Sequence, residues 1–214
     1  MNTPNSVLMD QAKASLKGKW RLGVKVTLVI FLLELVLRFI PVLGSIANIL
    51  IQGPIMLGLA IFYISMARNQ DAKFGQTFEG FDTWWRAFKA YVLMAIYMIF
   101  WFLLLIIPGV IYALAFSQVF FILAEDKNIR VRDAFYKSRM MMKGNKWKLF
   151  CLQLRFLGWA LLCIPTLGIG FLWLTPYMYT TSAKFYDDLK KENPVAPTMP
   201  EMPAILEVPV APKA

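Results

Sequence analysis

Histidine is missing from this 214-residue sequence, and cysteine occurs only twice. A serine–histidine–acid triad therefore cannot form, and the usual ligand sets for zinc or copper are not available. Cys151 and Cys163 lie in one apolar segment, and on a helix they would be about 18 Å apart, far beyond disulfide reach. No GxxxxGK[ST] phosphate loop and no GxGxxG fingerprint occurs. We therefore expect no enzyme, no metal site and no cofactor.

Charged residues are also scarce. They make up 17% of the chain against 58% for hydrophobic residues, and the mean hydropathy is +0.55. Soluble domains carry about 25% charged residues, and a small water-soluble core cannot hide this many apolar side chains. The net charge of +10 does not indicate nucleic acid, because lysine and arginine cluster at the ends of apolar runs, as they do at membrane boundaries. The sequence predicts an integral membrane protein whose main partner is the lipid bilayer.

Six apolar runs have about the length that crosses a ~30 Å hydrocarbon layer. They are residues 22–40, 45–67, 88–107, 110–124, 147–164 and 170–186. Residues 88–124 form one stretch that is too long for a single span, and Pro108-Gly109 supplies the turn that divides it. The predicted fold is an all-α bundle of six spans, residues 22–187, built as three helical hairpins with cytoplasmic interfacial helices.

Lysine and arginine fix the predicted orientation. The turns at 41–44, 108–109 and 165–168 contain neither residue, whereas the segments on the other side are basic. By the positive-inside rule both termini and both long connections are cytoplasmic. We therefore expect residues 1–21 to form an N-terminal cytoplasmic interfacial helix of a multi-pass cell-membrane protein.

The three hairpins resemble one another. Their outer turns read IPVLG, IPGV and IPTLG, and each inner boundary has a tryptophan beside basic residues. The candidate basic and aromatic lipid anchors are Lys17, Lys19, Trp20, Trp85, Arg86, Lys143, Lys146 and Trp147. Upstream of the tryptophans, Phe74, Phe78 and Phe81, and then Val131, Phe135 and Met142, recur at helical spacing, which predicts helices lying on the membrane surface. An internal repeat and three independent hairpins with common turn chemistry both explain the similarity.

The last segment, residues 188–214, is predicted to be a proline-rich cytoplasmic tail. Six of its prolines fall on a three-residue grid, which is the repeat of a polyproline II helix. Two interpretations stay open, a docking ligand for an aromatic groove and a solvated, disordered end.

Several segments carry a family resemblance. They include LKGKW at 16–20, QGPIMLGL at 52–59, MMKGNKWKLF at 141–150 and TLGIGFLWLTPY at 166–177. Over about residues 6–191 the chain resembles the bacterial membrane family catalogued as domain of unknown function number nine hundred and seventy-five. The resemblance implies a multi-pass protein of the bacterial cell membrane and brings no catalytic or ligand-binding residues. Arg155 departs from the family pattern, which has a small or apolar residue there.

Ionisable residues at lipid depth are candidates for function because they are costly to place there. The candidates for an intramembrane polar site are Glu34, Arg38, Asn48, Gln52 and Arg155. In one interpretation Glu34 pairs with Arg38 one turn away and Arg155 reaches back to the inner surface. In the other, Glu34 and Arg155 meet inside the bundle and line a polar path. Pro54 and Pro176, which we expect to interrupt the second and sixth spans, fit broken transporter helices and ordinary spans equally well.

Two classes of function follow. The first, which we favour, is a non-enzymatic membrane helper or scaffold that binds a partner protein or anionic lipid through its basic inner face. The second is a small transporter or channel component with a polar path near Glu34 and Arg155. A charged cavity inside the bundle would favour the second class, and a dry apolar interior would favour the first.

Overall fold

The computed structural model describes residues 3–104, 106–166 and 168–192. All regular secondary structure in these ranges is helical. The helices are α1 (Asn5–Leu16), α2 (Trp20–Arg38), α3 (Pro41–Ala67), a 3₁₀ helix (Phe74–Phe81), α4 (Trp84–Leu104), α5 (Ile106–Phe116), α6 (Val119–Glu125), α7 (Val131–Met141), α8 (Lys146–Cys163) and α9 (Phe171–Glu192). The predicted all-α class is confirmed.

Helix α3 is the centre of the fold. It contacts α1, α2, α4, α6, α9 and the 3₁₀ helix. The C-terminal half of α3 is buried on all sides, and Phe62, Tyr63 and Met66 are fully enclosed. A helix that is apolar all round is expected in such a position because every face needs an apolar neighbour.

The predicted spans correspond to helices, but the predicted turns at 41–44 and 108–109 are helical, because α3 begins at Pro41 and α5 at Ile106. In addition, one span is divided and one is extended. The fourth, 110–124, is divided at Ser117–Gln118 between α5 and α6. The sixth continues through Asp187 and Asp188 to Glu192, because Leu189 is fully buried in the core. The helix therefore continues past residue 188, where the predicted tail begins, and residues 193–214 lie outside the described residues.

Two helical stretches of the described chain are long and apolar enough to cross a membrane by length and composition. They are Ala47–Ala67, and Pro108–Glu125 with its internal turn. The other long helices carry more charge. Helix α2 contains Arg21, Lys25, Glu34 and Arg38, and α8 contains Lys146, Lys148 and Arg155.

The prolines do not interrupt their helices, contrary to expectation. Helix α3 runs through Pro54 and α9 runs through Pro176. Proline has no N–H, so the carbonyl four residues earlier loses its helical donor. At Pro54 that carbonyl belongs to Leu50, and the indole N–H of Trp84 donates to it at 3.1 Å. A side chain from the next helix thus replaces the missing backbone bond.

The predicted interfacial helix after α3 is 3₁₀ rather than α-helical, and it lies beside α3. Its Thr77 and Gly80 are buried against Gly58 and Pro54 of α3. Pro54 is thirteen residues from the end of α3, so the contact lies about 20 Å back along that helix. Phe74 is half-buried and packs on the core, whereas Phe78 and Phe81 are exposed.

Helix α7 is amphipathic, as predicted, but its apolar face packs on protein and not on a membrane surface. Ala134, Phe135 and Met141 are buried. Ser138 donates a hydrogen bond to the carbonyl of Ala115 at 2.7 Å. A one-sided apolar pattern requires only an apolar neighbour, and here α5 and α6 supply it.

Candidate functional site: a polar cleft between α2, α3 and α9

Polar side chains from three helices meet in one cleft of about 210 Å³. Its polar lining comprises Thr27 and Glu34 of α2, Gln52 and Tyr63 of α3, and Thr175 and Tyr179 of α9. Apolar side chains, including Ile30, Phe31 and Leu59, complete the walls. Most of the remaining core is aliphatic and aromatic, so this cleft stands out by its chemistry.

The positions of these polar residues follow from helical periodicity. Thr27 and Glu34 are seven residues apart, Gln52 and Tyr63 eleven, and Thr175 and Tyr179 four. These spacings correspond to two, three and one turns of an α-helix, so each pair lies on one face. Each helix therefore presents two polar groups to the same cleft.

The aromatic wall of the cleft is rigid. The rings of Tyr63 and Tyr179 stack with centroids 5.1 Å apart and planes 10° from parallel. The hydroxyl of Tyr63 lies 3.4 Å from that of Thr27 and joins α3 to α2. Stacked rings and a cross-helix contact hold the wall in place, which pre-organises the cleft for a ligand.

The cleft contains a carboxylate whose charge is not balanced within the lining. Glu34 is half-buried and makes no ion pair with any residue that the structure describes. The side-chain oxygen of Gln52 is buried without a hydrogen-bond partner. A carboxylate and an amide oxygen both accept hydrogen bonds, so the cleft is suited to a cation or to a ligand rich in donors. In the described part of the chain no group of three or more histidine, cysteine or carboxylate residues could hold a metal ion.

The structure separates the five predicted intramembrane residues. Glu34 and Gln52 line the cleft together. Asn48 is half-buried on α3 and does not line it, and Arg38 is exposed one turn beyond Glu34. Arg155 is exposed on α8, which contributes no residue to the cleft. The structure therefore does not bring Glu34 and Arg155 together.

The predicted lipid anchors fall into two groups. Lys17, Lys143, Trp85 and Trp147 are exposed, the tryptophans by 59% and 73%. Lys19, Trp20, Arg86 and Lys146 are half-buried. In this second group Trp20 packs on Tyr177, Lys19 donates to the carbonyl of Gln70 and Arg86 donates to the carbonyls of Asp126 and Lys127.

An ionic clasp joins three helix ends and was not expected from the sequence. Its residues are Arg68 after α3, Glu125 at the end of α6, and Tyr186, Asp187 and Lys190 of α9. The guanidinium of Arg68 donates to Asp187 at 2.7 Å and to Glu125 at 2.9 Å. Glu125 also accepts hydrogen bonds from Tyr186 and Lys190, both at 2.7 Å. Glu125 therefore accepts hydrogen bonds from three side chains, those of Arg68, Tyr186 and Lys190.

The electrostatics of the clasp favour the charged form of its arginine. Hydrogen bonds to Asp187 raise the pKa of Arg68 above its ordinary value, and those to Glu125 add to the effect against the opposing influence of burial. No local motif announces the clasp, because its partners are 57 to 119 residues apart in the sequence. The sequence shows only that charged residues lie at the ends of apolar runs.

The comparison with protein families bears on this architecture. The family model described as "Protein of unknown function (DUF975)" matches residues 1–115 and 102–193. The chain belongs to the DUF975 family. No curated protein and no solved structure matches the chain. Membership in DUF975 confirms the resemblance found in the sequence and assigns no activity to the cleft.

Proposed function

We propose that this DUF975 protein is a six-span protein of the bacterial cell membrane with both termini in the cytoplasm. Exposed large apolar side chains support the proposal, since they follow α2 from Leu28 to Ile40, α4 from Ile96 to Leu103 and α8 from Leu154 to Ile164. Soluble monomers rarely expose contiguous apolar patches this extensive. The ionic clasp lies at the other end of the bundle from these exposed apolar side chains. The connections between helices at that end are basic.

Reporter insertions test this topology. A reporter that is active only in the cytoplasm should be active after Lys191 and in the exposed loop at Asn128, and silent at Gly44. The expectation follows from the one-sided distribution of lysine and arginine. Activity at Gly44 would contradict the six-span arrangement.

We also propose that the cleft binds an amphipathic cation from the bilayer in a non-enzymatic manner. The uncompensated carboxylate of Glu34 is the observation that carries this proposal. Phe31, which is 56% exposed, lies at the edge of the cleft and within the exposed apolar stretch of α2. A ligand with a cationic head and an apolar tail would place its head against the carboxylate of Glu34. The tail would lie along α2.

Dodecyltrimethylammonium is a suitable probe of this cleft. We expect Glu34→Gln to weaken its binding to the purified protein in nanodiscs by tenfold or more, because opposite charges about 4 Å apart attract by about 1–4 kcal/mol between bulk water and a protein surface. Isothermal titration calorimetry measures the change. Arg155→Gln is the matched control, and its binding should equal that of the wild type because Arg155 lies outside the cleft. Equal losses in both variants, or none in Glu34→Gln, would contradict the proposal.

A further inference from the structure

A second groove, of about 340 Å³, lies between α7 on one side and α4 and α5 on the other. Two arginines of α7 line it, Arg132 and Arg139. They are seven residues apart, which places them on one face of the helix about two turns from each other. Both side chains are exposed, and neither makes an ion pair with a residue that the structure describes.

The rest of the groove is apolar and mostly aromatic. Trp101 and Tyr112 form a stacked pair with centroids 4.1 Å apart, and Tyr97 packs on Phe116 and Phe135. Among the residues that the structure describes, no carboxylate lines the groove. The nearest one in sequence, Asp133, is buried and pairs with Arg130 at 2.7 Å, so it does not neutralise the two arginines.

The groove continues into the exposed apolar surface of α4. Tyr97 and Trp101 line the groove, and Phe100, whose ring contacts that of Trp101 with centroids 5.7 Å apart, is 54% exposed. One wall therefore joins a positively charged mouth to a surface suited to hydrocarbon. A molecule that matches it needs an anionic head and an apolar chain.

We infer that this groove binds one anionic phospholipid. Its phosphate lies between the guanidinium groups of Arg132 and Arg139, whose planar N–H donors suit phosphate oxygens, and the hydroxyl of Tyr136 adds a donor. An acyl chain follows Leu93 and Tyr97 toward Trp101. The inference rests on the proposed membrane embedding and is independent of the cleft at Glu34.

Native mass spectrometry of the full-length protein in detergent tests the groove. We expect phosphatidylglycerol to bind tighter than phosphatidylcholine, and Arg132→Gln/Arg139→Gln to weaken phosphatidylglycerol binding about 25-fold, since each arginine near an anionic lipid contributes about a factor of five. Arg132→Lys/Arg139→Lys should retain most of the preference because it keeps both charges. Lys17→Gln/Arg21→Gln removes two exposed charges near the start of α2, which contributes no residue to the groove, and should bind as the wild type does.

Three results would overturn the inference. The first is equal binding of the two lipids by the wild type. The second is an equal loss in the Lys17/Arg21 control, which would indicate general surface attraction. The third is displacement of the lipid by millimolar inorganic phosphate, which would indicate a site for the free anion. Thermal melting confirms that each variant is folded. Because binding is measured in detergent, its failure is distinguishable from a failure of the reporter topology.

Discussion

Gly58→Ala is expected to destabilise the protein by about 3 kcal/mol or more, because it overpacks a helix contact that has no room. A Cβ atom at Gly58 would lie 1.8 Å from the backbone oxygen of Thr77 and 2.6 Å from its carbonyl carbon. Both atoms belong to the backbone of the 3₁₀ helix, so no side-chain rotation relieves the clash. The 3₁₀ helix would have to move away from α3, and the hydrogen bond from Trp84 to Leu50 would be strained with it. Thermal melting in detergent measures the loss.

Gly158→Ala is the matched control for this prediction. Gly158 lies within α8, and a Cβ atom there would meet nothing within 4 Å. Alanine in a helix interior is favoured over glycine by about 0.5–1 kcal/mol, so this variant should melt at the same temperature or slightly higher. Similar losses in the two variants would show that the close contact between α3 and the 3₁₀ helix is not the cause.

The helical hairpins could be predicted because each depends on local information. Apolar runs of spanning length, separated by proline and glycine or by basic segments, place the helices to within a few residues. Pro41 begins α3 and Pro108 lies in the first turn of α5, where proline fits because the first N–H groups of a helix have no partner. Each of these signals depends only on residues that are neighbours in the sequence.

The partners of the amphipathic segments could not be predicted in the same way. The patterns around Phe78 and Phe135 indicate a helix with one apolar face. The same pattern is expected whether that face packs on lipid or on protein. Thr77 and Gly80, the residues that contact α3, are small and only weakly apolar, so they did not mark a buried face. A close approach of two backbones needs small residues there, and that requirement is visible only once both helices are placed.

The candidate site was partly predictable. The sequence singled out Glu34 and Gln52, and the structure places both in one cleft. Thr27, Tyr63, Thr175 and Tyr179 were missed, although their helical spacings of four, seven and eleven put them on shared faces. A search for polar pairs in register along apolar helices would have found them. The rotation of α2, α3 and α9 toward a common cleft depends on packing, such as the contact of Gly23 with Pro176.

Arg68→Gln is expected to destabilise the protein by about 2–3 kcal/mol, somewhat less than the 3–5 kcal/mol typical of a fully buried pair, because the Arg68 side chain is 29% exposed. The substitution leaves Asp187 without its partner and removes one of three hydrogen bonds to Glu125. Glu125 and Asp187 then lie at the ends of α6 and α9 without the guanidinium group that pairs with both of them. Chemical denaturation in mild detergent measures the free energy of unfolding.

Two comparisons make the prediction on Arg68 specific to the clasp. Lys73→Gln removes an exposed ion pair with Asp71, whose charged groups are 3.6 Å apart, and should cost less than about 1 kcal/mol. A double-mutant cycle of Arg68→Gln with Asp187→Asn should show coupling above about 1 kcal/mol, because the two side chains share hydrogen bonds. Additive effects in that cycle would mean that the clasp does not hold α3 and α9 together. Coupling confined to Arg68 and Asp187, with none to Glu125, would mean that α6 is held by apolar packing alone.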